Sequence, residues 1–91
     1  MEMTAYVERR FVISNQQGLH LRPASMLAKT ADSFDSNITV CCKGSKAEAK
    51  SVLSMILLEA SHGNEVIVIA KGRDAVHAMA AISELFELGF N

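Results

Sequence analysis

From Thr4 to Ser14, Val7, Phe11 and Ile13 fall on alternate positions in a run rich in β-branched and aromatic residues, the pattern of a half-buried strand. Asn15-Gln16-Gln17-Gly18 breaks that run. From Leu21 to Phe34 the spacing changes: Ala24, Leu27, Ala28, Ala31 and Phe34 recur every three or four residues, with Ser25, Lys29, Asp32 and Ser33 on the other side. This predicts an amphipathic helix. Pro23 fits only in its first turn, where the missing N–H has no intrahelical partner to lose. The helix therefore starts within a residue or two of His20.

Asn37 to Cys42 reads as a second strand, Lys43-Gly44-Ser45 as a tight turn and Lys46 to Lys50 as a short third strand. Ser51 supplies an N-cap for a helix over Val52 to Ala60, and Gly63-Asn64 separates it from a strand over Glu65 to Ala70. Asp74 caps a last helix, in which Ala75, Ala78, Met79, Ile82, Leu85 and Phe86 form one apolar face closing at Gly89. The order is βαββαβα. Short strands and one-sided helices predict an α+β domain of two layers, with the helices on one face of a largely antiparallel sheet.

The second helix departs from its neighbours. Val52, Leu53, Met55, Ile56, Leu57 and Leu58 leave almost no polar side, and a helix apolar all round is either enclosed by core or partly exposed to a partner. Enclosure is difficult in 91 residues, which make one small domain over 1–91 without repeat or linker. Some of these side chains should reach the surface.

The formal net charge of −1 argues against nucleic acid, since no excess of Lys and Arg exists to neutralise a phosphate backbone. The stretch from Met1 to Arg10 holds no apolar core of signal-peptide length, and no run approaches the roughly 20 residues that span a bilayer. A cytoplasmic protein without direct membrane insertion is expected. Cys41 and Cys42 are adjacent in a strand and should point to opposite faces, as reduced structural residues. His20, His62 and His77 lie apart, without the spacing of a metal site, so neither metal nor cofactor is expected.

His20 carries the chemistry. A neutral imidazole is a competent nucleophile near pH 7, and a residue just before a helix faces unpaired backbone N–H groups and the positive end of the helix dipole, which favours phosphate. Arg22 can add a guanidinium to the same oxygens, and Gly18 allows close backbone approach or a positive φ. A phosphate-cradling GxxxxGK[ST] loop and Mg²⁺-binding carboxylates are not evident, so the site suits holding and releasing a phosphoryl group rather than activating a nucleotide. By spacing alone, the same residues also fit a surface histidine beside a solvated arginine.

Gly18-Leu19-His20-Leu21-Arg22-Pro23-Ala24 resembles the G-[LIM]-H-x-R-P-A signature of the HPr family of phosphotransferase-system phosphocarriers, and Lys50-Ser51-Val52-Leu53 resembles its regulatory-serine segment. The similarity covers almost the whole chain. It implies an open-faced sandwich whose four-stranded antiparallel sheet has the order 1-4-2-3, with three helices on one face. It further implies that His20 accepts a phosphoryl group on Nδ1 from phosphorylated enzyme I, charged by phosphoenolpyruvate, and passes it to an EIIA-type acceptor in sugar uptake. Such a protein is a carrier rather than an enzyme, expected to act as a monomer.

In the same resemblance Arg22 neutralises the phosphoryl group, with Gln17 and Gly18 in support. Gln17 departs from the Ser or Asn of many relatives, and its longer amide still donates a hydrogen bond. Val52, Leu53 and Ile56 match positions that dock partners, with Met55 and Leu58 expected to face inward. Ser51 is the candidate phosphoserine where an HPr kinase/phosphorylase exists, with Ser54 a weaker candidate; Lys50 reads as solvated, and His62 and His77 as bystanders. The C-terminal stretch from Ile82 to Phe90 resembles the nitrogen-related branch, whose members regulate rather than drive transport. A regulator that binds through the second helix without phosphoryl transfer is the alternative from another class.

Overall fold

The computed structural model describes residues 4–91; the part of the N-terminal reading that concerns Met1 to Met3 lies outside them. Its elements run β1 (Ala5–Val12), α1 (Leu21–Asp32), β2 (Asn37–Cys42), β3 (Ser45–Glu48), α2 (Val52–Leu57), β4 (Glu65–Gly72) and α3 (Ala75–Glu87). The strands form one antiparallel sheet in the order β1-β4-β2-β3. Thus the βαββαβα order and the open-faced sandwich expected above are both present.

The sheet's inner face explains its position. Phe11 from β1, Ile38, Val40 and Cys42 from β2, Ala47 from β3 and Val66, Val68 and Ala70 from β4 are all buried. Alternate residues of the same strands lie on the outer face, as the period of two requires. Cys42 is buried and Cys41 is half-buried on the opposite side, both as free thiols. From the helices, Leu27, Met55 and Ile82 are fully enclosed. The face-to-face stack of Phe11 on Phe86, with ring centroids 4.3 Å apart, fastens α3 to β1, and Phe90 meets Phe86 edge-on at 5.0 Å. None of the described helices is long and apolar enough to cross a membrane.

Several boundaries differ from the pattern-based reading. The hairpin turn has only two residues, Lys43 and Gly44, with φ of 51° and 81°, so β3 begins at Ser45 and ends at Glu48 rather than running from Lys46 to Lys50. Two positive φ values give the turn a twist that matches the paired strands. β1 stops at Val12 because the Ile13 N–H leaves the ladder for the Asn64 carbonyl, at 2.9 Å. β4 continues to Gly72, since Lys71 and Gly72 still pair with Tyr6 and Ala5. α1 ends at Asp32, where Ser33 and Phe34 bond three residues back instead of four.

α2 is the largest correction, ending at Leu57 instead of Ala60. Leu58 and Glu59 donate three residues back, to Met55 and Ile56, and Glu59 takes a left-handed φ of 54°. Asp74 occupies the N-cap position of α3, yet its carboxylate does not cap the helix. It accepts instead from the Asp35 N–H at 2.9 Å, the Ser36 N–H at 3.0 Å and the Ser36 hydroxyl. At the other end, Gly89 and Phe90 donate to Phe86 and Leu85, closing α3 in a Schellman turn.

Candidate functional site

The site is built around the step from β1 into α1. Asn15 to Gly18 form a turn in which the Gly18 N–H reaches the Asn15 carbonyl at 3.1 Å, while the Asn15 side-chain amide donates to the Gly18 carbonyl. Gly18 has a φ of 69° and lies so close to Ala60 that a Cβ there would strike the Ala60 carbonyl oxygen. That carbonyl also accepts from the Leu19 N–H at 2.9 Å. The short turn after α2 is therefore the wall on which the loop before His20 rests. Asn64 completes it by pairing with Ile13 and accepting from the Ser61 N–H at 2.8 Å.

His20 follows as the N-cap residue of α1, in extended conformation with φ −82° and ψ −170°. Its carbonyl takes the first helical bond, from the Ala24 N–H at 3.0 Å, while its imidazole makes no capping hydrogen bond. The residue is partly exposed. Of the amides in the first turn, those of Leu21 and Arg22 have no intrahelical acceptor, and Pro23 has no N–H to leave unpaired. No acidic residue occupies that turn, so nothing there opposes an anion. Arg22 is exposed, and the ion pair found among the described residues joins Arg10 to Glu65, which leaves the Arg22 guanidinium without a carboxylate. Gln17 is exposed on the same loop.

α2 carries the remaining candidates. Ser51 is its N-cap and accepts from the Ser54 N–H at 3.2 Å; both serines are half-buried. Met55 and Leu58 face inward, as expected. Of the three expected docking residues only Leu53 is prominent, 67% exposed, whereas Val52 and Ile56 are half-buried against the core. The exposed companion of Leu53 is Leu57, at 70%, one turn further along the same face. Leu21, next to His20, is 65% exposed. Pattern alone could not select Leu57 in an all-apolar helix.

Lys50 is not simply solvated: its ammonium donates to the Phe34 carbonyl at 2.8 Å and ties the start of α2 to the end of α1. Asn15 and Ala60 had no place in the sequence-based site. An Asn opening a turn before Gly was the available signal for the first, whereas no local signal marks the second. His62 and His77 are exposed on other segments.

The sequence matches the family described as PTS HPr component phosphorylation site over residues 7–87. It is 41% identical over 85 residues to the phosphocarrier protein HPr of Xylella fastidiosa, covering 93% of this chain and 96% of that one. It is 40% identical over 85 residues to the phosphocarrier protein NPr of Shewanella violacea, covering 93% of each. The crystal structure of HPr-C-His from Thermoanaerobacter tengcongensis superposes with a TM-score of 0.88 at 38% identity, over 92% of this chain and 94% of the other. The chain belongs to the HPr family of phosphotransferase-system phosphocarriers.

Proposed function

We propose that His20 is the phosphoryl acceptor and that this protein relays the group, in the cytoplasm, from phosphorylated enzyme I to an EIIA-type acceptor. The observation that carries the reading is the state of His20: a partly exposed N-cap residue whose ring takes no part in capping, beside two helix-end amides without intrahelical acceptors. The Nδ1 lone pair attacks phosphorus as the bond between phosphorus and the donor breaks, and the reverse step at the acceptor restores the neutral ring. The charge brought by the phosphoryl oxygens meets the Leu21 and Arg22 N–H groups, the helix dipole and the Arg22 guanidinium. Gln17 is within the same loop as a supporting donor, and Gly18 sets the loop's path. The group is held and passed on, so the protein acts as a carrier rather than as an enzyme.

Docking rests on Leu53 and Leu57, with Val52 and Ile56 packed behind them. A phosphate on Ser51, added by an HPr kinase/phosphorylase, would be tolerated at the helix start while placing about two negative charges beside this surface. The test is incubation with phosphoenolpyruvate and enzyme I, followed by assay for acid-labile phosphate. One phosphate per chain, abolished by His20→Ala, is expected; no labelling, or labelling that survives the substitution, refutes the assignment.

A second reading, the nitrogen-related branch, has support from NPr relatives as similar to this chain as the HPr relatives are, 40% against 41%. The C-terminal segment resembles the same branch. Offering the phosphorylated protein to a sugar EIIA and a nitrogen EIIA in parallel separates the two by which one discharges His20.

A further inference from the structure

The helices leave the outer face of the sheet open, and the pairing register arranges that face in rows across the strands. One row reads Glu8, Ile69, Thr39 and Glu48, acidic at both ends. The next reads Arg10, Ile67, Cys41 and Lys46, basic at both ends. Flanking the acidic row are Tyr6 and Lys71, and flanking the basic row are Val12 and Glu65. Tyr6 and Val12 are 60% and 61% exposed, and Ile67 and Ile69 are half-buried.

Two in-plane twofold axes would bring this face onto a copy of itself. An axis along the strands sets Glu8 against Glu48 and Arg10 against Lys46, like charge on like. An axis across the strands, between the two central rows, gives the opposite result. Glu8 then faces Arg10 of the second copy, Glu48 faces Lys46, and Lys71 faces Glu65. Ile69 meets Ile67, and Tyr6 meets Val12. Because a twofold interface is isologous, each of these pairings is made twice.

We propose that the open sheet face is a self-association surface, on which a second copy of this chain docks about the twofold axis between the two rows. The charge layout admits this axis and rejects the alternative, and the apolar pairs fall in register with it. Two such sheets pack face to face about 10 Å apart, close enough for these side chains to interdigitate. The Arg10–Glu65 pair at 3.4 Å and the Tyr6–Glu8 hydrogen bond at 3.0 Å are solvent-exposed, so little holds those groups to their present partners. The helices, with His20, lie on the opposite side of the sheet, so both copies keep their sites accessible. The dimer departs from the monomer expected above.

Surface charge pairs are individually weak and screened by salt, so the association should be modest and should loosen as ionic strength rises. Sedimentation equilibrium of the full chain up to about 1 mM reads it directly. Arg10→Glu sets two like charges against each other at both symmetry-related contacts and should raise the dissociation constant at least about tenfold. Combining it with Glu8→Arg exchanges the charges and should restore association. The pair Lys46→Glu and Lys46→Glu with Glu48→Lys repeats the test on the opposite edge strand, and circular dichroism confirms that each variant is folded. A wild type that stays monomeric throughout overturns the proposal. So does a dimer indifferent to Arg10→Glu and Lys46→Glu, or exchanged variants as dissociated as the single ones.

Discussion

Gly18 is held by two constraints at once, a left-handed φ of 69° and the Ala60 carbonyl in the place where a Cβ would go. The first alone disfavours any L side chain; the second requires the turn after α2 to move as well. Gly18→Ala should therefore destabilise the fold by about 1–3 kcal/mol, measured by urea unfolding. Displacement of the loop it anchors should also slow the labelling of His20. A variant of wild-type stability and labelling rate would mean that the loop is not set by this contact. Lys50 teaches a related lesson about single residues. A lysine in the turn between β3 and α2 is ordinarily solvated, yet its ammonium meets the Phe34 carbonyl at 2.8 Å just beyond the end of α1.

The helices differ in how much of themselves they reveal. α1 and α3 have one apolar face each, and that periodicity places their buried residues without reference to the rest of the chain. β2 was legible to its last residue because Ile38, Val40 and Cys42 alternate with Asn37, Thr39 and Cys41. α2 was not, because apolar residues on every side give no face to choose. Its orientation is decided by the sheet, which takes Met55 fully inside, and its end by the left-handed Glu59, which has no signal of its own kind. The His20 loop was legible as a motif, whereas its wall at Ala60 lies forty residues away in sequence and comes into contact only in the fold. Paired substitutions test the division of α2. Met55→Ala should cost roughly 2–5 kcal/mol of stability, the usual penalty for emptying a core site. Leu57→Glu should stay within about 0.5 kcal/mol of wild type in unfolding experiments, being exposed, while slowing phosphoryl transfer from enzyme I. Transfer at the wild-type rate by a folded Leu57→Glu variant would remove this residue from the docking surface.

At the scale of the whole molecule, the strand order β1-β4-β2-β3 rests on pairings between distant segments, which no local pattern encodes; it entered through family resemblance and the structure bears it out. The same long-range character holds for Asp74, whose position before α3 suggested a helix cap. Its carboxylate instead joins the turn leading into α3 to the loop between α1 and β2, accepting from the Ser36 hydroxyl and the Asp35 and Ser36 amides. Gly72 packs against Ser36 so closely that a Cβ there would lie 2.5 Å from its hydroxyl, so a side chain at this position would displace the donor. The Ser36 hydroxyl first, and then the Asp35 N–H, favour the ionised carboxylate and hold it below the usual aspartate range. The folded chain thus resists protonation at Asp74 more than the unfolded chain does. The stabilisation is complete above the ordinary aspartate pKa of about 4 and disappears as the pH falls through the lower, folded-state value. Asp74→Asn keeps an acceptor oxygen and removes the charge, so it should be less stable than wild type at neutral pH. Urea unfolding at steps from about pH 6 to pH 2 should show the gap between the two proteins closing toward the acid end. A gap that stays constant over that range would mean that the charge of Asp74 contributes nothing to the joint, and that its hydrogen bonds act by geometry alone.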